Sequence, residues 1–599
     1  MGNDKEQETV FTEKIKKGIE KGIIKLSEDQ SKVTYFACRQ FKANFKDPEE
    51  KVRASYFAEL VLDYIYPKER IDFEVTVPRR TPMDKADIIV YEDDERKKPY
   101  LVVECKKDGI SDAEFKQAIE QAFGNANSLR ANFASVVAGI TRTAFDVAGF
   151  KQNEREKNVI ADIPVKYGQA PKYKFIKGDS EREIYEVSKD DLIRALKKAK
   201  DTVWQGGKLA PTAAFDEISK LLFCKLQDEK EETKKGEPYK FQIGTHEDFN
   251  EVFGRVNIIY QKAQKKDPEV FKENIRLEPQ IVYSVVEHLQ GINFNKTDLD
   301  VKGVAFETFM EDFFKGKMGQ FFTPREIIRF CVRMLNPQTD QMILDPACGS
   351  GGFLLNSMDF VKSNAERGHD KEEALGIWRG FALKRLYGIE INDQIARVCK
   401  MNMIIHEDGH SNIISADSLI DLSEITKMNP SFKPNSFDLV LTNPPFGADV
   451  KDTEKPYLQK FVLGKGRKSQ STEILFIERC LDFLKSGTGM MAIVLPDGVL
   501  TNSSLQYVRD FMMEKFQILA VVSLPQLAFM HFGAGVKSSL VFLRKKADGE
   551  KPKDYPIFMA MAEHIGYDAT GRKDPTNDFE KIYEEYQKFI KNYKDYKGC

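Results

Sequence analysis

Between about residue 316 and residue 545, six short apolar runs alternate with helical stretches: MILDPACG, RLYGIEIN, FDLVLTNPP, MMAIVLP, ILAVVSLP and KSSLVFLRK. A run that is apolar throughout reads as a strand buried on both faces, and strands joined through helices run parallel. The alternation therefore predicts a doubly wound, mostly parallel α/β sheet. Such a sheet binds its ligands at the carboxyl ends of its strands, so the residues just after each strand carry the chemistry.

The first junction is Asp345-Pro-Ala-Cys-Gly-Ser-Gly-Gly-Phe353. Glycines at 349, 351 and 352 let the backbone turn tightly and approach a ligand closely. The turn lacks the lysine of a phosphate-binding loop and does not match GxGxxG; no GxxxxGK[ST] occurs in the chain, which argues against an ATP-driven motor. The next strand ends in an acid, Tyr387-Gly-Ile-Glu390, suited to both hydroxyls of a ribose. In SADSL, Asp417 stands near the end of the third strand, where it can accept from an adenine amino group. Taken singly, each acid also reads as a helix cap or turn residue.

The deciding motif is Asn443-Pro-Pro-Phe446, after the strand FDLVLT. Pro444 and Pro445 fix the chain, so the Asn443 side chain and the Pro444 carbonyl point in set directions. Both are acceptors for an amino group, and an exocyclic NH2 held by two acceptors keeps its lone pair available to attack a methyl group. Phe446 offers a face for a base to stack on. A base inside a duplex cannot reach such a pocket and must be flipped out.

DPACGSGGF and NPPF resemble motifs I and IV of the amino-methyltransferases that use S-adenosylmethionine. Their order resembles the gamma class of DNA adenine-N6 methyltransferases. Gly319-Gln-Phe-Phe-Thr323-Pro324 is similar to that class's motif X, which lines the methionine end of the cofactor. Over residues 190–560 the chain resembles the modification subunits of type I restriction-modification systems. The resemblance implies a catalytic pocket of Asn443, Pro444, Pro445 and Phe446. It implies a cofactor site of Gln320, Phe321, Thr323, Asp345, Ala347, Gly349, Ser350, Gly351, Glu390 and Asp417. No target-recognition domain is evident after residue 545, so it also implies double-stranded DNA chosen by a separate specificity subunit, within a hetero-oligomer that includes a restriction or motor subunit in one form.

The N-terminal part has a different texture. EEKVRASYFAELVLDYIYP (49–67) is a helix that stops at Pro67, after a lead-in over residues 1–45 that reads as helical. RIDFEVTVPRR, ADIIVYEDDE and PYLVVECKKD read as strands, followed by a helix over 111–129 and a strand FASVVAGITR (133–142). Glu104 and Lys106 point the same way from their strand and Cys105 the opposite way. Asp87 on the neighbouring strand completes a candidate Mg2+ site with Glu104, and Lys106 can polarise the attacking water. This resembles the PD-(D/E)xK nuclease core, with Ala86 where the name-giving motif has Pro, and the N-terminal domain of type I restriction subunits. Glu59 and Gln117 are candidate accessories. A fold of this kind that has lost catalysis and serves for docking is the alternative.

The reading is thus an α/β chain in four parts. A PD-(D/E)xK nuclease-like domain (1–185) and an all-helical domain (186–315) precede a Rossmann-like S-adenosylmethionine-dependent methyltransferase sheet (316–545). A tail (546–599) ends in the helix DFEKIYEEYQKFIKNYKDY, which either folds back or docks on a partner. Nuclease and methylase in one chain is similar to type IIB enzymes. The competing readings are a type I modification subunit with an inert first domain, and a non-catalytic DNA-binding scaffold.

Composition sets the remaining bounds. With 91 Lys+Arg against 93 Asp+Glu the net charge is −2, which excludes a generally basic nucleic-acid coat but not a local basic cleft. Lys-Gly-Arg-Lys (465–468) fits phosphate as well as it fits a solvated loop, and DEKEETKKGEP (228–238) reads as a solvated linker. FMHFGAG (529–535) reads as core and loop around the site. The 8 Cys show no CxxC pair, and the 7 His show no ligand spacing. A charged start without an apolar core predicts a cytoplasmic protein.

Overall fold

The computed structural model describes residues 13–592 apart from 79–83, 140, 149–157, 181, 205–208, 210, 267–272, 298–300, 302–304, 307–308, 310–322, 407–411, 531–534, 551–553 and 571. The chain divides into two compact units. One comprises residues 1–208 and 220–301, the other residues 209–219 and 302–599.

In the first unit, residues 24–44 are not the expected helix. They form an antiparallel meander of β1 (Ile24–Leu26), β2 (Lys32–Phe36) and β3 (Gln40–Asn44). Gly22, at φ +67°, ends the preceding helix, and the alternation in KVTYF sends Val33 and Tyr35 into the core. Helix α1 (Pro48–Leu62) follows, capped by Asp47, whose side chain accepts from the Glu49 amide.

A six-stranded sheet comes next, in the order β4 (Ile71–Val77), β5 (Asp84–Tyr91), β6 (Pro99–Cys105), β7 (Phe133–Ala138), β8 (Thr141–Asp146) and β9 (Val159–Ile160). Only β6 and β7 pair in parallel, joined by the crossover helix α2 (Asp112–Leu129). The single expected strand 133–142 is two, because the chain reverses at Gly139 in the left-handed region. Period-2 alternation sorts the two faces. Leu101 and Val103 pack with Tyr56, Phe57 and Leu60 of α1, while Val102 packs with Ala122, Phe123 and Ala126 of α2.

Helices α3 (Lys189–Trp204), α4 (Pro211–Gln227), α5 (Phe249–Lys266) and α6 (Pro279–Leu289) bear out the helical periodicity. The run after α4 corrects the solvated reading. Asp228 and Glu229 are buried, and Glu229 pairs with the fully buried Lys225 at 3.3 Å. Glu229 also accepts the amides of Phe294 and Asn295, and Asp228 those of Lys240 and Phe241. Buried charge persists because each carboxylate is paired or hydrogen-bonded.

The second unit holds an eight-stranded sheet, in the order β12 (Ile413–Ser415), β11 (Leu386–Glu390), β10 (Ile343–Asp345), β13 (Leu439–Thr442), β16 (Met490–Pro496), β18 (Ser538–Lys545), β17 (Phe516–Ser523) and β19 (Phe558–Met561). The first five run parallel and β18 runs antiparallel to both neighbours. Strand order reverses between β10 and β13, which opens a crevice at their carboxyl ends. This is the Rossmann-like, mostly parallel sheet that the strand pattern predicts. Helices α7 (Arg325–Leu335), α8 (Gly352–Gly368), α9 (Lys371–Arg385), α10 (Asp393–Ile405), α11 (Leu422–Met428), α12 (Thr472–Phe483), α13 (Asp497–Thr501) and α14 (Gln506–Lys515) occur along this unit, and a hairpin of β14 (Asp449–Lys451) and β15 (Ser469–Ser471) follows the NPPF turn.

The tail adds β19 to the sheet edge beside β17, then a two-stranded ribbon of β20 (Ile565–Tyr567) and β21 (Lys573–Asn577). It ends in α15 (Phe579–Asn592), which folds back. Phe579 stacks on Phe330 of α7, Tyr586 meets Phe558, and Arg333 lies 4.0 Å over the Tyr583 ring. The apolar stripe of α15 is thus covered by the chain's own α7 and β19. Among the described residues no helix is long and apolar enough to cross a membrane.

Candidate active sites

In the second unit the strand ends gather the motif residues. Asp345 closes β10 and is 1% exposed; its Oδ1 accepts the Ala347 amide at 3.1 Å. Burial pushes its carboxyl up to about 7. Glu390 closes β11, and its two oxygens accept the amides of Gly349 at 3.0 Å and Asn392 at 2.8 Å. One carboxylate thus ties the glycine turn to the tip of the neighbouring strand. Burial raises its carboxyl against those amides.

Glycine is required at two points of this turn. Gly349 and Gly351 have φ of +52° and +90°, and a Cβ on Gly351 would stand 2.9 Å from Cys399 Sγ. Ser350 is buried, and its carbonyl accepts from Asn402. Asp417 lies just past β12. Its Oδ1 accepts the Leu419 amide, and its Oδ2 accepts from Lys455 at 2.8 Å and Tyr457 at 2.7 Å. Burial works to raise this carboxyl, but those bonds hold it below the ordinary value.

The NPPF turn leaves β13 beside them. Pro444 is buried, Pro445 exposed, and Asn443 and Phe446 half-buried. Phe446 meets the buried Phe529 edge to face, with centroids 6.4 Å apart, which places the start of FMHFGAG at the site; residues 531–534 lie outside the described ones. Asn443 Nδ2 donates to Thr323 Oγ1 at 3.1 Å, while Asn443 Oδ1 is buried without a partner. An unsatisfied buried acceptor costs about 1–3 kcal/mol, so it marks a place prepared for a donor. Gln320 and Phe321 lie outside the described residues.

Two residues the sequence reading missed brace this turn. Thr472 donates to the Ala448 carbonyl through its amide at 2.9 Å and its hydroxyl at 2.6 Å. Glu473, 7% exposed, keeps Oε2 buried without a partner. Burial raises its carboxyl, and its own amide and that of Gly447 oppose the shift. In the basic loop, Arg467 stacks 3.9 Å over Tyr507.

The residues fit S-adenosylmethionine. A turn with glycine at 349, 351 and 352, two acids at strand tips and one near a third, and an orphaned amide oxygen next to an aromatic ring are what a charged nucleoside cofactor and an amino substrate need.

The first unit gathers its own cluster. Asp87 on β5 accepts from Arg53 Nη2 at 2.5 Å and from the Cys105 amide at 2.7 Å. Glu104 on β6 accepts from Lys106 Nζ at 2.8 Å, and its Oε2 is buried without a partner. Burial and then Asp87 raise the Glu104 carboxyl, while Lys106 is held above the ordinary lysine value by Glu104 and Glu49 despite its burial. Lys106 therefore stays charged and suits polarising water rather than taking a proton.

Sequence reasoning missed Arg53, Glu49 and Glu50, all on α1. Glu50 lies 2.9 Å from Arg53 and Glu49 lies 3.6 Å from Lys106. Glu59 is not in the cluster: two turns further along α1, it closes a bidentate pair with Arg142 at 2.5 and 2.9 Å. Gln117 is exposed on α2, and Gln121, one turn on, donates to Asp84 at 3.2 Å.

Glu74 also reaches Arg53, at 3.3 Å, and burial with Asp87 pushes Glu104 up to about 8, so these acids are paired or held toward their protonated forms until a cation draws off the proton. Among the described residues no group of three or more His, Cys, Asp or Glu side chains is gathered for a metal. Two carboxylates supplemented by water suit Mg2+ rather than a closed protein cage.

Residues 297–598, half of the chain, match the family model described as N-6 DNA Methylase. The chain belongs to the N-6 DNA methylase family. Residues 48–164 match the model described as type I restriction enzyme R protein N terminus, which covers Asp87, Glu104 and Lys106.

The chain is 27% identical over 274 residues to the type I restriction enzyme EcoEI methylase subunit of Escherichia coli, covering 44% of this chain and 51% of that one. It is 25% identical over 380 residues to the StySPI methylase subunit of Salmonella potsdam, covering 60% and 68%. It is 26% identical over 283 residues to the type II restriction enzyme and methyltransferase RM.BcgI of Heyndrickxia coagulans, covering 46% and 38%. The chain thus spans about half the length of the first of these relatives. Among solved structures, the type I restriction-modification methyltransferase subunit from Streptococcus thermophilus superposes with a TM-score of 0.47 at 20% identity, covering 67% of this chain and 94% of that one.

Proposed function

We propose that the second unit is a DNA adenine-N6 methyltransferase of a restriction-modification system, acting on an adenine flipped out of the duplex. The observation that carries this is the buried, unpartnered Oδ1 of Asn443 beside Phe446. That oxygen and the Pro444 carbonyl accept the two hydrogens of an exocyclic amino group, which keeps the nitrogen lone pair directed outward. Phe446, braced by Phe529, gives the base a stacking face. Asp345 and the Gly349–Gly351 turn hold the cofactor's methionine and sugar region, Glu390 its ribose and Asp417 its adenine. When bound, S-adenosylmethionine supplies an electrophilic methyl group on sulfur. Relatives named methylase subunits support a separate specificity chain as the source of target choice.

The first unit, in this reading, is a Mg2+-dependent nuclease in which Asp87 and Glu104 hold the cation and Lys106 polarises water. Glu104, bonded to Lys106 and with its Oε2 buried and unpartnered, supports it. A second reading is favoured by one specific contact: Arg53 and the Cys105 amide already occupy Asp87, as in a nuclease-like fold that serves for docking.

The test incubates plasmid DNA with labelled S-adenosylmethionine, with and without Mg2+, in the presence of the specificity chain. Wild type puts label on adenine and Asn443→Ala does not. Cutting that needs Mg2+ and is lost in Lys106→Ala assigns the nuclease. Labelling without cutting assigns the docking reading, and absence of adenine labelling by wild type sinks the methyltransferase.

A further inference from the structure

We propose that Thr323 is a positioning residue that holds the Asn443 amide with its acceptor end facing the target amino group. This rests on the methyltransferase reading above. The two ends of an asparagine amide have nearly the same shape and opposite character: Oδ1 accepts and Nδ2 donates. Presented the wrong way round, the side chain meets an amino group donor to donor. The backbone cannot choose between the two, because rotation about the last side-chain torsion exchanges them without moving Cα or Cβ.

The backbone on either side of Asn443 is held: Thr442 before it is fully buried at the end of β13, and Pro444 and Pro445 follow. Two side-chain torsions are left, and the bond from Nδ2 to Thr323 Oγ1 at 3.1 Å restrains both with the donor end engaged. Oδ1 is left buried and unpartnered. Thr323 itself is firmly seated. Pro324 follows it and opens α7, where Ile327, Ile328 and Phe330 are buried. The Pro324 carbonyl accepts the Ile328 amide at 3.0 Å. A hydroxyl anchored on α7 thus sets the amide at the end of β13, across 120 residues of sequence.

The resemblance of GQFFTP to a cofactor-lining motif assigns Thr323 to the methyl donor instead, and the two roles separate in kinetics. The experiment compares Thr323→Val, which keeps the shape and removes the acceptor, with Thr323→Ser, which restores it. Both are made in the full chain assembled with its specificity partner. Affinity for S-adenosylmethionine is measured by calorimetry, and kcat for adenine methylation at saturating cofactor. Positioning predicts kcat about tenfold lower in Thr323→Val, the worth of one hydrogen bond. Cofactor Kd stays within about twofold, and Thr323→Ser returns to near wild type. A weakened cofactor Kd with kcat unchanged overturns the proposal, as does an equal loss in both variants or no loss in either. Asn443→Ala runs alongside: wild-type kcat in that variant overturns the methyltransferase reading itself, whatever the Thr323 variants do.

Discussion

Lys455 and Asp417 form an ion pair 2.8 Å long that links the segment after the NPPF turn to the end of the third strand of the sheet. Tyr457 donates to the same carboxylate oxygen at 2.7 Å. Asp417 is therefore ionised and oriented before any nucleoside arrives, and its second oxygen is shared only with the Leu419 amide. Lys455 is 43% exposed, and a pair this open contributes about 1 kcal/mol or less. Asp417→Ala is expected to weaken S-adenosylmethionine binding about tenfold, the loss of one charge-assisted hydrogen bond, while Lys455→Met changes it by no more than about threefold. Calorimetric titration of the cofactor checks this. A larger loss in the lysine variant than in the aspartate variant sinks the assignment of Asp417 to the cofactor.

Asp345 makes a prediction about pH. Its buried carboxyl rises to about 7 from an ordinary value of 3.8, so the folded chain holds that proton where the unfolded chain has released it. A raised acid favours the folded state most below pH 4, and this advantage is lost as the pH climbs through about 7. Asp345→Asn cannot release a proton, so its stability relative to wild type should rise between pH 5 and pH 8. Urea midpoints at several pH values, followed by circular dichroism without cofactor, measure the difference; a difference that stays constant with pH refutes the assignment.

The parts of these sites that lie directly after a strand were legible in the sequence, because a local pattern carries them. Asp345, Glu390 and Asn443 each end or follow their strand within one residue. Lys455, Tyr457, Thr472 and Glu473 were not, since they return to the site through a loop and the β14–β15 hairpin. In the first unit, helical spacing showed that α1 buries a face, but not that Arg53 of that face meets Asp87, 34 residues on. Glu59 was misplaced for the same reason: periodicity finds the buried side of a helix and is silent on which strand each turn touches. The meander over 24–44 was missed because its strands are only three to five residues long. Charge density made 228–238 look solvated, yet Lys225 and Glu229 stand at i and i+4 on one helical face. Their burial depends on Gln290, Phe294 and Asn295, which no local window contains.

Two acidic residues of α1, Glu49 beside Lys106 and Glu59 paired with Arg142, can be told apart by substitution. Glu59→Gln removes half of the Arg142 pair and is expected to lower stability by about 2 kcal/mol, without changing Mg2+ affinity. Glu49→Gln removes a charge beside Lys106, and is expected to weaken Mg2+ binding severalfold with stability unchanged within about 0.5 kcal/mol. Urea denaturation and Mg2+ calorimetry on the same preparations provide both readouts. The reverse pattern, with Glu59→Gln losing the cation, would restore Glu59 to the metal cluster.

The Lys225–Glu229 pair supplies the strongest stability prediction. Lys225 is fully buried, donates to the Gln290 carbonyl at 3.0 Å and lies 5.7 Å from the centre of the Tyr239 ring. Lys225→Met removes the charge but keeps most of the volume, leaving Glu229 as an uncompensated buried carboxylate. Burial already raises that carboxyl against the pull of Lys225, so without the lysine Glu229 is driven toward its protonated form. The single variant is expected to lose about 3–5 kcal/mol. Adding Glu229→Gln, whose one carbonyl oxygen keeps only one of the Phe294 and Asn295 amide bonds, should still recover part of the loss, because most of the penalty comes from the stranded charge. A double-mutant cycle on urea midpoints decides it. Strictly additive losses would show that packing of the lysine stem, rather than its charge, holds the segment 228–238 in place.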